Sequence, residues 1–85
     1  MIMHNEWTQN SGKLVKTFKF KDFNEALKFI NTVGQIAESM NHHPKINNLY
    51  NTVTLKLWTH DQNAISKLDF QLAEEIDRQI EGSLK

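Results

Sequence analysis

The chain has 85 residues, with ten basic and ten acidic side chains, no cysteine and a single proline. That length holds one domain, residues 1–85, and not two cores; zero cysteine excludes disulfides and thiolate chemistry, and the even charge lacks the basic excess that marks nucleic-acid binding. No apolar run exceeds three residues, so no membrane-spanning helix is expected, and MIMHNEW lacks the basic start and apolar stretch of a secretory signal. The expected setting is the cytoplasm. A core this small usually needs a staple, which leaves self-association or a metal.

In chain order, residues 6–9 and 13–20 flank the turn formers Asn10, Ser11 and Gly12, which predicts a β-hairpin. In the second arm Leu14, Phe18 and Phe20 share one face at period two, and Lys16 interrupts it. Over residues 22–40 the period lengthens. Phe23, Ala26, Leu27, Ile30, Val33, Ala37 and Met40 make an apolar helical stripe, and Asp22 with Glu25 has the form of a capping box. Pro44 is expected to end this helix and to hold His43 out of the helical region. Residues 52–58 alternate again, with Val53, Leu55 and Leu57 on one side and Thr52, Thr54, Lys56 and Trp58 on the other. Residues 45–51 are expected to pair with them, turning near Tyr50 and Asn51. A second helix is marked by Leu68, Leu72, Ile76 and Ile80 at four-residue spacing, with Ala73 beside them. Ser66 is its expected N-cap, Ile65 and Phe70 are spaced for a hydrophobic staple, and Gly82 is its expected stop. The order β-β-α-β-β-α predicts an α+β fold, a four-stranded antiparallel sheet with both helices packed on one face.

Three of the four histidines, His42, His43 and His60, fall with Glu38 inside residues 38–60. His4, near the terminus, reads as a surface residue. A zinc site without cysteine needs three or so His or carboxylate ligands at workable spacing, and adjacent histidines just past a helix tend to point different ways. Acid/base chemistry asks for less. An unperturbed imidazole titrates near pH ~6.5, so it can give and take a proton. His60 shares the parity of Trp58, and a hairpin can bring its end beside the helix end that carries His42. Glu38, one turn before His42, is placed to hold its ring. On pattern alone, a proton-transfer site and ordinary surface histidines both stand.

The spacing Glu38, three residues, His42-His43-Pro44, five residues, Tyr50, nine residues, His60, eight residues, Asp69 resembles the signature of the pterin-4a-carbinolamine dehydratase family. The flanks FKFKDFNEALKFINTVGQIAE and LDFQLAEEID resemble it too, so the likeness runs from Trp7 to Asp77. The resemblance implies a dehydratase without metal or other cofactor. Its reaction removes water from 4a-hydroxytetrahydropterin to give quinonoid dihydropterin, in tetrahydrobiopterin recycling. It implies His42 and His60 as the acid/base pair, His43 as the histidine that holds substrate, and Glu38 as a residue that orients a histidine or bonds the substrate. Pro44 fixes the backbone between them. Trp58 is placed to stack on a flat pterin ring or to serve an interface. Tyr50 and Asp69 also belong to the signature; Tyr50 reads as a hairpin packing residue and Asp69 as a helix cap.

Two features depart from the family pattern. Only MIMHNE precedes Trp7, where members usually carry an extra helix, and Lys45-Ile46 follows the His-His-Pro run where Glu-Trp is common. The family implies homodimers built by sheet edges, sometimes paired into tetramers, and a small sheet needs its edges covered in any case. The alternative function is a non-catalytic module. Animal members bind a homeodomain transcription factor, and a pterin- or molybdopterin-linked accessory role stands where no aromatic amino-acid hydroxylase is a partner.

Overall fold

Two tight turns and one long-range strand pairing build the sheet. The computed structural model describes residues 6–83; His4 and the start of MIMHNEW lie outside the described residues. Strands β1 (Thr8–Asn10) and β2 (Lys13–Lys19) are joined by Ser11 and Gly12, at φ 52° and 74°. Two central residues with positive φ match the twist of the strands they join, and Gly12 adopts this without steric penalty. Helix α1 (Phe23–Met40), strands β3 (Lys45–Leu49) and β4 (Thr52–Leu57), and helix α2 (Lys67–Ser83) follow, in the expected order. The sheet is antiparallel throughout, in the order β1-β2-β4-β3. The two hairpins thus meet at β2 and β4, and β1 and β3 form the edges.

Alternation sorts the side chains between two faces. Leu14, Phe18 and Phe20 join Val53, Leu55 and Leu57 in the core under the helices. Thr17 and Thr54, opposite one another on the other face, share a hydrogen bond of 3.1 Å. Lys16 keeps the parity of its apolar neighbours and is 3% exposed. Its ammonium meets Asp77 Oδ1 of α2 at 2.7 Å, and Trp7 Nε1 donates to Asp77 Oδ2 at 3.1 Å. The Phe18 and Trp7 ring centroids lie 5.1 Å and 5.6 Å from Lys16 Nζ, where an aromatic face attracts a cation. The residue that interrupts the apolar pattern is therefore a clasp between β2 and α2.

Helix α1 is capped as expected, with Asp22 accepting from the Glu25 N–H at 2.9 Å. Its buried face differs from the expected stripe. Phe23 and Leu27 are exposed, while Phe29 and Ile36 are buried with Ala26, Val33 and Ala37. Phe29 lies 4.6 Å from the Phe18 ring and 5.0 Å from the Phe20 ring, centroid to centroid. That aromatic cluster turns the helix so that Leu27, about 100° round from Ala26, faces outward. The helix also stops without help from Pro44. Asn41 takes the left-handed conformation (φ 52°, ψ 42°), its N–H donates to Glu38 O, and the His42 N–H donates to Ala37 O. This is a Schellman ending, and Asn tolerates it better than most residues.

In α2 Leu72, Ala73, Ile76 and Ile80 are buried as expected, but Leu68 is 43% exposed. Ile65 packs against the core while Phe70 stays largely in solvent, so only one half of the expected staple is buried. The helix runs past the expected stop at Gly82 to Ser83; glycine inside a helix weakens it by only about 1 kcal/mol relative to Ala. Tyr50, expected as a packing residue, sits in the β3–β4 turn at φ 50° and is 61% exposed. Asn51 fastens that turn instead, exchanging two 2.8 Å hydrogen bonds with the backbone of Phe20. Among the described residues no helix is long and apolar enough to cross a membrane.

Candidate active site

The Schellman ending of α1 delivers His42 toward the first turn of α2. His42 Nε2 lies 2.5 Å from Asp69 Oδ1; the His42 side chain is 11% exposed and that of Asp69 is 0%. The other Asp69 oxygen accepts from Thr59 Oγ1 at 2.9 Å and from the Ser66 backbone N–H at 2.8 Å. Thr59 Oγ1 and Ser66 Oγ are also bonded, at 2.5 Å. Since Thr59 spends its one proton on Asp69, Ser66 must donate to Thr59. Asp69 is then an acceptor on both oxygens, which fixes the His42 proton on Nε2 and leaves Nδ1 as the nitrogen free for exchange. The cap role expected for Asp69 is present, in its bond to Ser66. Its hold on His42 is an addition that only the signature spacing hinted at.

Glu38 holds a histidine, but not the expected one. Glu38 Oε2 meets His43 Nε2 at 2.7 Å, both side chains being well exposed. The left-handed turn at Asn41 carries His42 away from the helix face and leaves His43 within reach. His60 begins a turn closed by the bridge between Thr59 and Ala64, with the Asn63 N–H donating to His60 O at 3.2 Å. Strand β4 ends at Leu57, yet the expected shared side of Trp58 and His60 persists. Their ring centroids are 4.6 Å apart at an interplanar angle of 41°, and Lys13 Nζ sits 4.9 Å over the Trp58 ring. Neither ring nitrogen of His60 is hydrogen-bonded among the described residues, so both are open to a ligand.

His42, His43 and His60 line one cleft of about 250 Å3, together with Asn41, Thr59 and Leu68. Asp61 completes its wall. Leu68 is exposed because it forms the apolar side of this cleft. Glu38 supports the wall from behind His43, and Trp58 supports it from behind His60. Pro44 links His43 to β3 and lies outside the lining. Larger hollows flank α1, but no pair of histidines converges on either. Among the described residues no three His, Asp or Glu side chains are grouped to hold a metal ion.

The molecule is a small α+β domain with a histidine-lined cleft at one end of its sheet, and one of the imidazoles is bonded to a buried carboxylate. The profile of the pterin 4 alpha carbinolamine dehydratase family matches residues 2–79, and the chain belongs to that family. It is 46% identical over 71 residues to a protein of Synechococcus sp. (strain WH7803), covering 84% of this chain and 76% of the relative. It is 48% identical over 71 residues to one of Sulfurisphaera tokodaii, with the same coverage. Both are provisionally named pterin-4-alpha-carbinolamine dehydratases. The crystal structure of a transcriptional coactivator/pterin dehydratase from Brucella melitensis superposes with a TM-score of 0.78 at 33% identity, covering 86% of this chain and 78% of that one. A pterin dehydratase-like protein identified as a RuBisCO assembly factor in the alpha-carboxysome shares the fold, with a TM-score of 0.72 at 20% identity over 88% of this chain and 89% of that one.

Proposed function

We propose that the cleft removes water from 4a-hydroxytetrahydropterin to give quinonoid dihydropterin, with His42 and His60 moving the protons. The observation that carries this reading is an anchored imidazole and an unbonded one lining the same cleft. The reaction breaks the C4a–O bond, and a proton joins the departing oxygen to make water. A second proton leaves N5, and its electron pair forms the C4a–N5 double bond. His42 suits the base, because the Asp69 carboxylate beside Nε2 offsets the charge the ring gains when Nδ1 takes a proton. His60 suits the acid, since both its nitrogens are open. His43, held by Glu38, is assigned to gripping the substrate, and Pro44 sets the path of the chain from it. Trp58 backs His60.

His42→Ala and His60→Ala should each lower kcat by about 10²-fold or more with little change in KM. His43→Ala should raise KM more than it lowers kcat. Circular dichroism of each variant separates lost chemistry from lost fold, which matters most for His42. Wild-type turnover by a folded His42→Ala protein overturns the assignment. The likeness to the Brucella melitensis transcriptional coactivator/pterin dehydratase supports a second reading, a docking module without turnover, and the same assay separates the two.

We also infer that the protein is a homodimer joined at the β3 edges. Among the described residues β3 pairs only with β4, and Leu49 and Tyr50 are exposed at its end, as Phe23 and Leu27 are on α1. An open edge beside apolar side chains is a template for another strand. Size-exclusion chromatography with light scattering should give twice the 9.9 kDa chain mass; a monomer at micromolar concentration contradicts the dimer.

A further inference from the structure

The neutral total charge conceals a division within the fold. Every charged residue in the four strands is a lysine: Lys13, Lys16, Lys19, Lys45 and Lys56. Lys16 turns inward to Asp77. The other four have the parity of the face away from the helices, and none is paired with a carboxylate among the described residues. Lys45 and Lys56 are direct cross-strand partners. Like charges in that position destabilise an antiparallel sheet, so the pair calls for an anion that offsets it.

Both walls of the cleft lead to these lysines. Only Pro44 separates His43 from Lys45. On the other wall His60 stacks on Trp58, and Lys13 lies over the same indole. By register and parity Lys45 and Lys56 share the outer sheet face with Lys13 and Trp58, and the His60–Trp58 stack carries that cationic face to the edge of the cleft. At about 250 Å3 the cleft is smaller than the ~300–1,000 Å3 sites that enclose drug-sized ligands. A fused ring with a long substituent must leave part of itself outside.

We propose that this cationic face binds an anionic group on the side chain of a reduced pterin, so that the preferred substrate carries a phosphate ester or carboxylate tail held by Lys45, Lys56 and Lys13. The proposal rests on the reading of the cleft as a pterin site. The test is calorimetric titration of the full chain with three tetrahydropterins, alike except for a side chain ending in a hydroxyl, a phosphate monoester or a carboxylate. At low salt an anionic form should bind about tenfold more tightly than the hydroxyl form, and the tighter of the two names the tail. The advantage should fade near ~0.5 M salt as screening shortens to a few ångströms. Lys45→Gln and Lys56→Gln should abolish most of it while leaving the melting temperature equal or higher, because the like-charge pair is gone. Lys19→Gln, on the same face but paired with Thr52 at the far end of β2, should leave it intact. Equal affinity for all three pterins overturns the proposal and leaves the pterin site standing. An equal loss in Lys19→Gln overturns it in favour of a general field. Binding of none of the three overturns both readings.

Discussion

Replacing Asp69 with Asn is expected to lower kcat by about 10²- to 10⁴-fold, with a smaller change in KM. Three donors converge on this carboxylate: His42 Nε2, Thr59 Oγ1 and the Ser66 N–H. Asn supplies one acceptor oxygen and an amide that can only donate. The Ser66 N–H is fixed in the backbone and keeps the oxygen, so the amide turns to His42. That forces the His42 proton from Nε2 to Nδ1, and the nitrogen left for the substrate becomes a donor where a base is required. The loss therefore comes from the wrong tautomer in a ring still in place. Stability should fall as well, by about 2 kcal/mol as bonds to a charged carboxylate become bonds to a neutral amide, or roughly 8–16 °C in a domain of this size. Imidazole 15N shifts of His42 read the tautomer independently of rate. Wild-type kcat with an altered melting temperature reduces Asp69 to a helix cap.

Asp77→Ala should be the more damaging change to the fold. It removes the only carboxylate that meets Lys16 among the described residues, leaving a buried ammonium and an unbonded Trp7 indole N–H. Breaking one side of a buried pair costs about 3–5 kcal/mol. Asp77 is partly exposed, and water reaching the site brings the expected loss to the lower end, about 3 kcal/mol. Small domains hold only about 5–15 kcal/mol in total, so the melting temperature should drop by more than ~10 °C. The double replacement Lys16→Met with Asp77→Leu removes both charges and should recover most of that loss. Thermal melts of the single and double variants check this. A single variant as stable as wild type means that the clasp contributes nothing.

Local patterns in the chain carried the elements well: the strands and helices began where period and caps indicated, although α2 ran past the expected stop at Gly82 and α1 ended through Asn41 and not through Pro44. The same patterns carried less about what each element meets. Leu14, Phe18 and Phe20 could be placed on one face, but nothing near Lys16 shows that Asp77, 61 positions on, waits above it. Phe29 and Ile36 are buried because the Phe18 and Phe20 rings turn α1, and a stripe drawn along a single helix cannot contain that. The site was legible to a similar depth. Spacing brought His42, His43 and His60 forward as a group, and all three line one cleft. It paired Glu38 with the wrong ring, because Asn41 reverses the chain in a way that only its tolerance of the left-handed region foreshadows. Asp69 could be read as a cap from its local position. Its second task depends on Thr59 and His42, which arrive from other elements.

The decisive measurement is the decay of freshly formed 4a-hydroxytetrahydropterin, followed by ultraviolet absorbance with the purified chain, in the presence and absence of EDTA. Acceleration by wild-type protein that EDTA leaves unchanged is the expected result, since side chains alone are assigned to move both protons. No acceleration by a folded protein, or acceleration that EDTA abolishes, contradicts a histidine proton-transfer site.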